Sequence, residues 1–338
     1  MQYYSTGNGR AGALAAARPA HNQLPGRADQ RGKAGSGVDG PSLSIVIPTR
    51  NEAENVEVLI ATICAAVPGP DKELIFVDDS DDATPVLLRR LLPEADCPGL
   101  IVERARGERT GGLSTAVVEG FANSTGVYLC IMDADLQHPA GAIPVLWMKA
   151  EREGADIVVG SRFMANAGSR AGLDGLRRHA VSRGARLLAR LLLPPARATS
   201  DPLSGFFVVH RRVVQDVDLR PVGYKILLEV LVRGRWQKVV DVPYVFHARQ
   251  AGLSKATAGQ GAKFVRHLAS LAVAARLGRV DVPAGATVYR GGARPSHAEA
   301  EAANAQGFSP GQAQSDDTRR MESRLLSPGG TGRGEGKE

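Results

Sequence analysis

Short apolar runs alternate with longer amphipathic stretches through the middle of the chain. Five runs have the composition and length of buried strands: residues 43–48, 73–77, 100–103, 128–132 and 155–159. A sixth, short strand is predicted at residues 239–245. Three stretches between them have the apolar spacing of helices: residues 51–66, 83–92 and 114–123. Because such alternation favours parallel strands joined by right-handed crossovers, we predict an α/β fold with a mostly parallel sheet and helices on both faces.

Two amphipathic stretches with basic residues follow in the second half of the chain. In residues 175–193, basic side chains recur at helical spacing beside a stripe of leucine and alanine. These basic side chains are His179, Arg183, Arg186 and Arg190. The pattern fits an ordinary surface helix, and it equally fits an interface helix whose arginines face lipid phosphates. Residues 263–277 are the last predicted helix, which is shorter than the roughly 20 residues of a membrane span.

Composition changes at both ends of the 338-residue chain. Residues 1–40 and 283–338 are rich in Gly, Ala, Arg and polar residues without an apolar period, which predicts disordered tails. Residues 41–256 are expected to form one α/β domain, and residues 257–282 a C-terminal helix at a membrane surface. Because residues 1–40 hold no apolar run of signal-peptide length, we expect a cytoplasmic protein.

Charge and cysteine content narrow the class of protein. The net charge is +7, but the arginines are scattered and aromatic residues make up only 5% of the chain, so a nucleic-acid-binding surface is not indicated. An anionic small molecule or an anionic membrane surface explains the charge at least as well. Cys64, Cys97 and Cys130 are far apart in sequence, which favours reduced thiols over disulfides or zinc ligation.

Carboxylates follow several of the predicted strands. Asp133 and Asp135 come directly after the fourth strand, as Glu52 and Asp79 come after the first two. In an open parallel sheet these strand ends meet at one edge, where two hard oxygen ligands suit Mg²⁺ or Mn²⁺. The same spacing also fits an Asp-rich turn, so alone it leaves both interpretations open. Basic residues in glycine-containing loops could face these acids across the site: Arg162, Arg249 and Lys255.

Seven short motifs appear in a fixed order along the chain. They are PTRNE (48–52), VDDS (77–80), DADLQHP (133–139), GSRF (160–163), SGF (204–206), GYK (223–225) and RQAGLSK (249–255). In this order they resemble the dolichol-phosphate and polyprenol-phosphate mannosyltransferases, which are family-two glycosyltransferases of the GT-A fold. The resemblance covers about residues 42–280 and implies a GT-A, Rossmann-like domain over residues 41–256.

The resemblance implies roles for individual residues. A guanosine and ribose site would be lined by Pro48, Arg50, Glu52, Val77 and Asp79. The ribose, diphosphate and metal would be held by Asp133, Ala134, Asp135 and Gln137, with Asp133, Asp135 and Gln137 beside Mg²⁺ or Mn²⁺. Donor diphosphate, sugar or acceptor phosphate would contact Arg162, Arg249, Ser254 and Lys255. Asp135, Arg162, Arg249 and Lys255 would be the catalytic residues.

The sequence departs from the family pattern at three places. Arg50 stands where tyrosine is usual, residues 81–82 replace a Pro-Asp-Gly turn, and residues 112–114 read Gly-Leu-Ser instead of Gly-Leu-Gly. The donor implied is GDP-mannose and the acceptor a polyprenyl or dolichyl phosphate. UDP-glucose on the same lipid is the nearest alternative, and a non-catalytic binder of anionic ligands is an alternative of another class. The lipid acceptor also implies a membrane surface or a membrane-anchoring partner protein, on the cytoplasmic face.

The chemistry of the implied acceptor sets the expected mechanism. A lipid monophosphate has a second pKa of about 6 and is already anionic at neutral pH, so no catalytic base is needed. We therefore expect inversion at the sugar C1 by single displacement, with metal and basic side chains balancing charge. His138 is expected to orient or be solvated, His267 to be structural, and Lys225 with Glu229 to form a surface i, i+4 pair.

Overall fold

The computed structural model describes residues 41–164, 176–247, 258–276 and 287–289. Within these ranges, eight strands form one sheet in the order β3-β2-β1-β4-β6-β5-β7-β8. The strands are β1 (Leu43–Thr49), β2 (Lys72–Asp78), β3 (Gly99–Glu103), β4 (Tyr128–Ile131), β5 (Ile157–Ser161), β6 (Phe207–His210), β7 (Lys238–Pro243) and β8 (Thr287–Tyr289). The six predicted strands, β1–β5 and β7, are all present, and the mostly parallel sheet is confirmed.

The same described residues contain eight α-helices. They are α1 (Val56–Ala66), α2 (Thr84–Leu91), α3 (Leu113–Asn123), α4 (Ala142–Glu153), α5 (Leu176–Leu192), α6 (Arg211–Val214), α7 (Ile226–Arg233) and α8 (Ala258–Arg276). Short 3-10 turns occur at Leu92–Glu94 and Pro194–Ala198. No described helix is long and apolar enough to cross a bilayer.

Side-chain alternation along β1 explains why helices cover both faces of the sheet. Ile45 and Ile47 point into a core shared with α1, α2 and α4, whereas Val46 points into a second core shared with α3 and α7. Each of these three strand residues is fully buried. A strand buried on both faces reads as an unbroken apolar run because successive side chains alternate between faces. The predicted helices on both faces are therefore confirmed.

Strand β6 was not predicted from the sequence. It is short and follows a loop rich in turn residues, so no periodicity marks it. Among the described strands, β6 alone runs antiparallel to its neighbours, lying between β4 and β5. Its direction brings the loop that precedes it, residues 201–206, to the edge where the parallel strands end.

Helix α8 packs within a third core. Phe264, Leu268 and Leu271 lie against residues of α5 and α7, including Ala189 and Leu228. The opposite side of α8 exposes Val265 and Val273, at 57% and 54%. A membrane contact of α8 would have to use this outer side, because its inner side packs against α5 and α7.

Two arginines of α5, Arg186 and Arg190, bind the protein, whereas Arg183 is exposed. Arg186 donates to the Ser200 carbonyl at 3.1 Å and lies over the Phe163 ring at 4.2 Å, and Arg190 donates to the Thr199 carbonyl. Of the two interpretations of this helix, the one in which arginines face lipid phosphates is not supported for Arg186 and Arg190, because both donate to carbonyls of residues 199–200. The exposed side chains of α5 also include the apolar Val181, Leu187 and Leu191.

Two further expectations need correction. Cys64 and Cys97 are paired, with Cα atoms 6.5 Å apart, because the end of α1 packs beside the segment that leads into β3. Only Cys130 stays a separate, buried thiol.

Within the tail predicted to be disordered, Thr287–Tyr289 form β8 along the edge of β7. A Thr-Val-Tyr segment has high strand propensity, which suits this pairing. The rest of that tail and residues 1–40 lie outside the described residues.

Candidate active site

One edge of the sheet gathers most of the predicted site residues. The carboxyl ends of β1, β2, β4, β5 and β7 meet there, together with the loop that leads into β6. Pro48 and Val77 are register partners on β1 and β2, and the Asp79 amide donates to the Thr49 carbonyl at 2.9 Å. In open α/β sheets ligands bind outside the carboxyl ends of the strands, so this edge is the candidate site.

The acidic motif forms a tight turn directly after β4. Leu136 has a left-handed backbone with φ of 60°, which lets the Gln137 amide donate back to Asp135 Oδ1 at 3.2 Å. The Gln137 side-chain amide donates to the His247 carbonyl at 3.0 Å, and the His247 amide donates to the Gln137 carbonyl at 3.0 Å. Residues 133–137 are thereby fixed to the segment after β7.

The His138 side chain holds the main chain at the start of this turn. Its Nδ1 accepts a hydrogen bond from the Asp133 amide at 3.1 Å, and its ring stacks on Phe206 with centroids 5.0 Å apart. Burial lowers the pKa of His138 to about 4, although Asp135 acts in the opposite direction. A neutral ring with Nδ1 as acceptor orients the main chain of Asp133, so the orienting role expected for His138 is the one observed.

The loop at residues 201–205 connects three parts of the site. Asp201 accepts from Arg162 Nε at 2.7 Å and from Nη2 at 3.0 Å, and the Asp201 side chain is fully buried while that of Arg162 is 12% exposed. Gly205 lies so close to the Asp133 carboxylate that an added Cβ would be 3.0 Å from Oδ2. The Leu203 carbonyl accepts from Lys225 Nζ at 2.9 Å. One short loop thus places Arg162, Lys225 and Asp133 around the same volume.

The surroundings of Arg162 keep its guanidinium protonated. Burial opposes the charged form, but Asp201 outweighs this and raises the pKa of Arg162 above its usual value. The guanidinium also lies 5.5 Å from the ring centroid of Phe246, after β7. Arg162 therefore stays cationic with a fixed orientation at the end of β5.

Lys225 is placed differently from the prediction of a surface pair. It precedes α7 and its ammonium turns to the Leu203 carbonyl, so the i, i+4 pairing with Glu229 does not form. Glu229 is fully buried and instead contacts Arg233 and His267 at 2.6 and 2.8 Å. The surface-pair prediction is wrong because helical spacing applies only inside the helix, which begins at Ile226.

Asp78 and Asp79 have separate structural partners. Asp78 accepts from the Thr49 and Ser80 hydroxyls, each at 2.7 Å, and so closes the loop after β2. Asp79 is bound by Arg104, whose Nε and Nη2 donate at 2.8 and 2.5 Å. Arg104 was not predicted, although its position immediately after the third strand was a usable signal. The Asp79 carboxylate is therefore presented to the site in one orientation.

The remaining predicted residues divide into two groups. Arg50 is exposed after β1, and Glu52 accepts from Asn55 Nδ2 at 2.8 Å at the start of α1, so both lie near the end of β1. Arg249, Ser254 and Lys255 lie outside the described residues, between the segment after β7 and the start of α8.

The oxygens after β4 fit a divalent cation that shares its shell with a ligand. In the described part of the chain, no cluster of three or more acidic, histidine or cysteine side chains forms a metal site by itself. Mg²⁺ typically binds through one or two carboxylates and takes its other oxygens from water and substrate phosphates. Asp133, Asp135 and the Gln137 side-chain oxygen are a donor set of this kind.

Known proteins are similar to this chain over about two thirds of its length. The family model described as glycosyl transferase family 2 matches residues 44–217, just over half of the chain. A dolichol-phosphate mannosyltransferase from Pyrococcus furiosus is 39% identical over 227 residues, which are 67% of this chain and 62% of that protein. A protein of the same name from Mycosarcoma maydis is 33% identical over 68% of this chain and 79% of its own length. This chain thus spans less than two thirds of the Pyrococcus relative.

Proposed function

Since the chain belongs to glycosyl transferase family 2, we propose that it transfers mannose from GDP-mannose to a polyprenyl or dolichyl monophosphate, with inversion at C1. The observation that carries the proposal is the loop at residues 201–205, which contacts both Arg162, through Asp201, and the Asp133 carboxylate, beside Gly205. A site of this kind offers carboxylates for a cation and a fixed guanidinium for a phosphate. The names of the relatives, which specify mannose and dolichol phosphate, support this choice of sugar and lipid.

Nucleoside binding is assigned to the ends of β1 and β2. Pro48 and Val77 would pack against the guanosine, with Arg50, Glu52 and Asp79 providing its polar contacts. Arg104 would act through Asp79, since it holds both carboxylate oxygens. This placement leaves the diphosphate to extend from the end of β1 toward the end of β4, which is the neighbouring strand.

Asp133, Asp135 and Gln137 would hold Mg²⁺ or Mn²⁺, with Ala134 allowing close approach of the donor. When bound, the cation acts as a Lewis acid that stabilises charge on the departing nucleoside diphosphate. His138 keeps the Asp133 main chain in place, and the two hydrogen bonds between Gln137 and His247 keep the turn closed. The protein contribution is thus a rigid set of oxygens at the end of β4.

Charge balance is the main catalytic requirement of the reaction. The acceptor phosphate is already anionic, so its attack on C1 needs alignment and screening from the donor diphosphate. Arg162 supplies one fixed cation, and Arg249 and Lys255, with Ser254, would hold the acceptor phosphate. The site needs no general base for this step.

A lipid acceptor requires the protein to meet a membrane, and we propose that α5 provides the contact. Its exposed leucines, Leu187 and Leu191, are 60% and 62% accessible, whereas Arg186 and Arg190 are bound to the 199–200 segment. We further propose peripheral attachment at the cytoplasmic face, alone or with a membrane-anchoring partner, and this exposed apolar surface supports such attachment.

One assay tests donor and acceptor together. Purified protein is incubated with labelled GDP-mannose or UDP-glucose, polyprenyl phosphate and Mn²⁺ or Mg²⁺, and the product is extracted into organic solvent. We expect label from GDP-mannose, and none when Asp135→Asn replaces the wild type at unchanged thermal stability. Label entering only from UDP-glucose would contradict the choice of sugar.

A further inference from the structure

Tyr244 presents a buried hydroxyl at the candidate site. The residue is 4% exposed, and its hydroxyl finds no hydrogen-bond partner in the described part of the chain. Its ring is fixed against Phe206 and His138, with centroids 5.3 and 5.8 Å away. Burial raises the pKa of Tyr244, so the hydroxyl is a protonated donor at neutral pH. Buried hydroxyl groups are normally paired, and an unpaired one indicates a missing acceptor.

Lys225 presents a buried positive charge in the same place. Its ammonium donates to the Leu203 carbonyl, which is neutral, and it forms no ion pair within the described residues. Burial lowers the pKa of Lys225 to about 8, and the nearby charge of Arg162 acts in the same direction. Arg162 is paired with Asp201, whereas Lys225 has no carboxylate partner among the described residues and lies 4.7 Å from the Tyr224 ring centroid.

Both groups lie beside the loop that precedes β6. Lys225 donates to the Leu203 carbonyl, and the Tyr244 ring packs on Phe206, three residues further along the same loop. The charges of Arg162, Asp133 and Asp201 act on both residues. We propose that the Lys225 ammonium and the Tyr244 hydroxyl form, beside Arg162, a subsite for a phosphate group. An ammonium and a hydroxyl donor converging beside a guanidinium suit the oxygens of such an anion.

This inference rests on the proposed function, which supplies two phosphate sources. One is the diphosphate of the nucleotide donor, and the other is the monophosphate of the lipid acceptor. Both present the same tetrahedral anion to Lys225 and Tyr244. The experiment therefore measures GDP affinity for the first source and KM for polyprenyl phosphate for the second.

Two variants remove the donors with little change in shape. Lys225→Gln removes the charge but keeps an N–H donor for the Leu203 carbonyl, and Tyr244→Phe removes only the hydroxyl. Lys149→Gln and Tyr128→Phe are matched controls, since Lys149 pairs with Glu153 on α4 and Tyr128 begins β4 at the opposite edge of the sheet. Calorimetry with GDP and with guanosine in the presence of Mn²⁺ is combined with steady-state kinetics.

We expect Lys225→Gln to weaken GDP binding, or to raise KM for polyprenyl phosphate, by about tenfold or more. Tyr244→Phe should have an effect of about threefold on the same quantity. Guanosine affinity should stay at the wild-type value, as should every constant of the two controls. Without ligand, Tyr244→Phe should melt at the wild-type temperature or higher, because it removes an unpaired buried hydroxyl.

Wild-type values for both GDP affinity and lipid KM in Lys225→Gln and Tyr244→Phe would overturn the subsite. A lower melting temperature of ligand-free Tyr244→Phe would overturn the role of that hydroxyl. If the wild type neither binds GDP nor transfers sugar, the proposed function fails, and pyrophosphate then tests the subsite alone. Pyrophosphate binding that Lys225→Gln loses would support it, and equal or absent binding would reject it.

Discussion

Arg104 binds Asp79 through a buried, two-point ion pair at the ends of β3 and β2. Nε donates to Oδ1 at 2.8 Å and Nη2 to Oδ2 at 2.5 Å, and the two side chains are 6% and 7% exposed. Thr115 adds a further contact by accepting from Nη1 at 2.9 Å. Asp79 therefore reaches the nucleoside side of the site already oriented, and Arg104 is the residue that orients it.

Replacing Arg104 with glutamine should strongly destabilise the protein. The change leaves a buried carboxylate without its cation, which typically lowers the free energy of unfolding by about 3–5 kcal/mol. Arg89→Gln is the matched control, because Arg89 makes the same two-point contact with Glu103 but both side chains are about half exposed. For the control we expect a loss of about 0–1 kcal/mol in urea denaturation. Equal losses for the two variants would contradict a special role for the buried pair.

The strand ends were the part of the site that the sequence made predictable. An apolar run that ends in Asp133 and Asp135 predicts a buried strand and the point where it leaves the sheet. The same stretch of sequence therefore predicts the strand and the site residues at its end. Arg162 follows the fifth strand in the same way. These sequence signals are local. Because parallel strands end at the same edge of the sheet, residues that follow different strands come close together.

The supporting partners were not predictable by the same means. Asp201 is 39 residues from Arg162, and nothing in its loop marks it as the counter-ion. Its position depends on β6, an antiparallel strand too short to show a period. The arginines of α5 show the related difficulty: helical spacing indicates that they share a side but not what that side contacts. Tertiary contacts decide these outcomes.

Asp201→Asn should reduce both stability and transfer. Asparagine keeps the size of the side chain and one acceptor, but it leaves the Arg162 charge without its buried partner. We expect a loss of about 3–5 kcal/mol in the free energy of unfolding. We also expect kcat/KM to fall by roughly 100-fold, because a misplaced cation no longer aligns the phosphates. Asp218→Asn, in an ion pair that is 67% exposed on both sides, should change neither quantity measurably.

His138 should make the ligand-free protein less stable in mild acid. Its pKa is about 4 when folded, against 6.5 for an ordinary histidine, so between these values the unfolded chain binds the extra proton. Stability from this residue is complete above pH 6.5 and falls as the pH drops toward 4, by about 1.4 kcal/mol per pH unit. His138→Asn can still accept from the Asp133 amide but does not titrate. Unfolding measured from pH 7 to 4.5 with chelator should show a shallower decline for this variant, and parallel curves would contradict the assignment.

The exposed leucines of α5 should govern vesicle binding rather than folding. Leu187 and Leu191 lie one helical turn apart, and their exposure leaves apolar surface that a lipid interface would cover. Replacing both with glutamine should lower binding to anionic vesicles by at least about tenfold, since each buried leucine side chain contributes about 1.5–3 kcal/mol. Stability should change by less than about 0.5 kcal/mol for each surface position. Val86→Gln is the matched control, because Val86 on α2 is also 62% exposed but stands outside this leucine pair. Co-sedimentation should give wild-type binding for the control, and wild-type binding for the leucine variant would place the membrane contact on another surface.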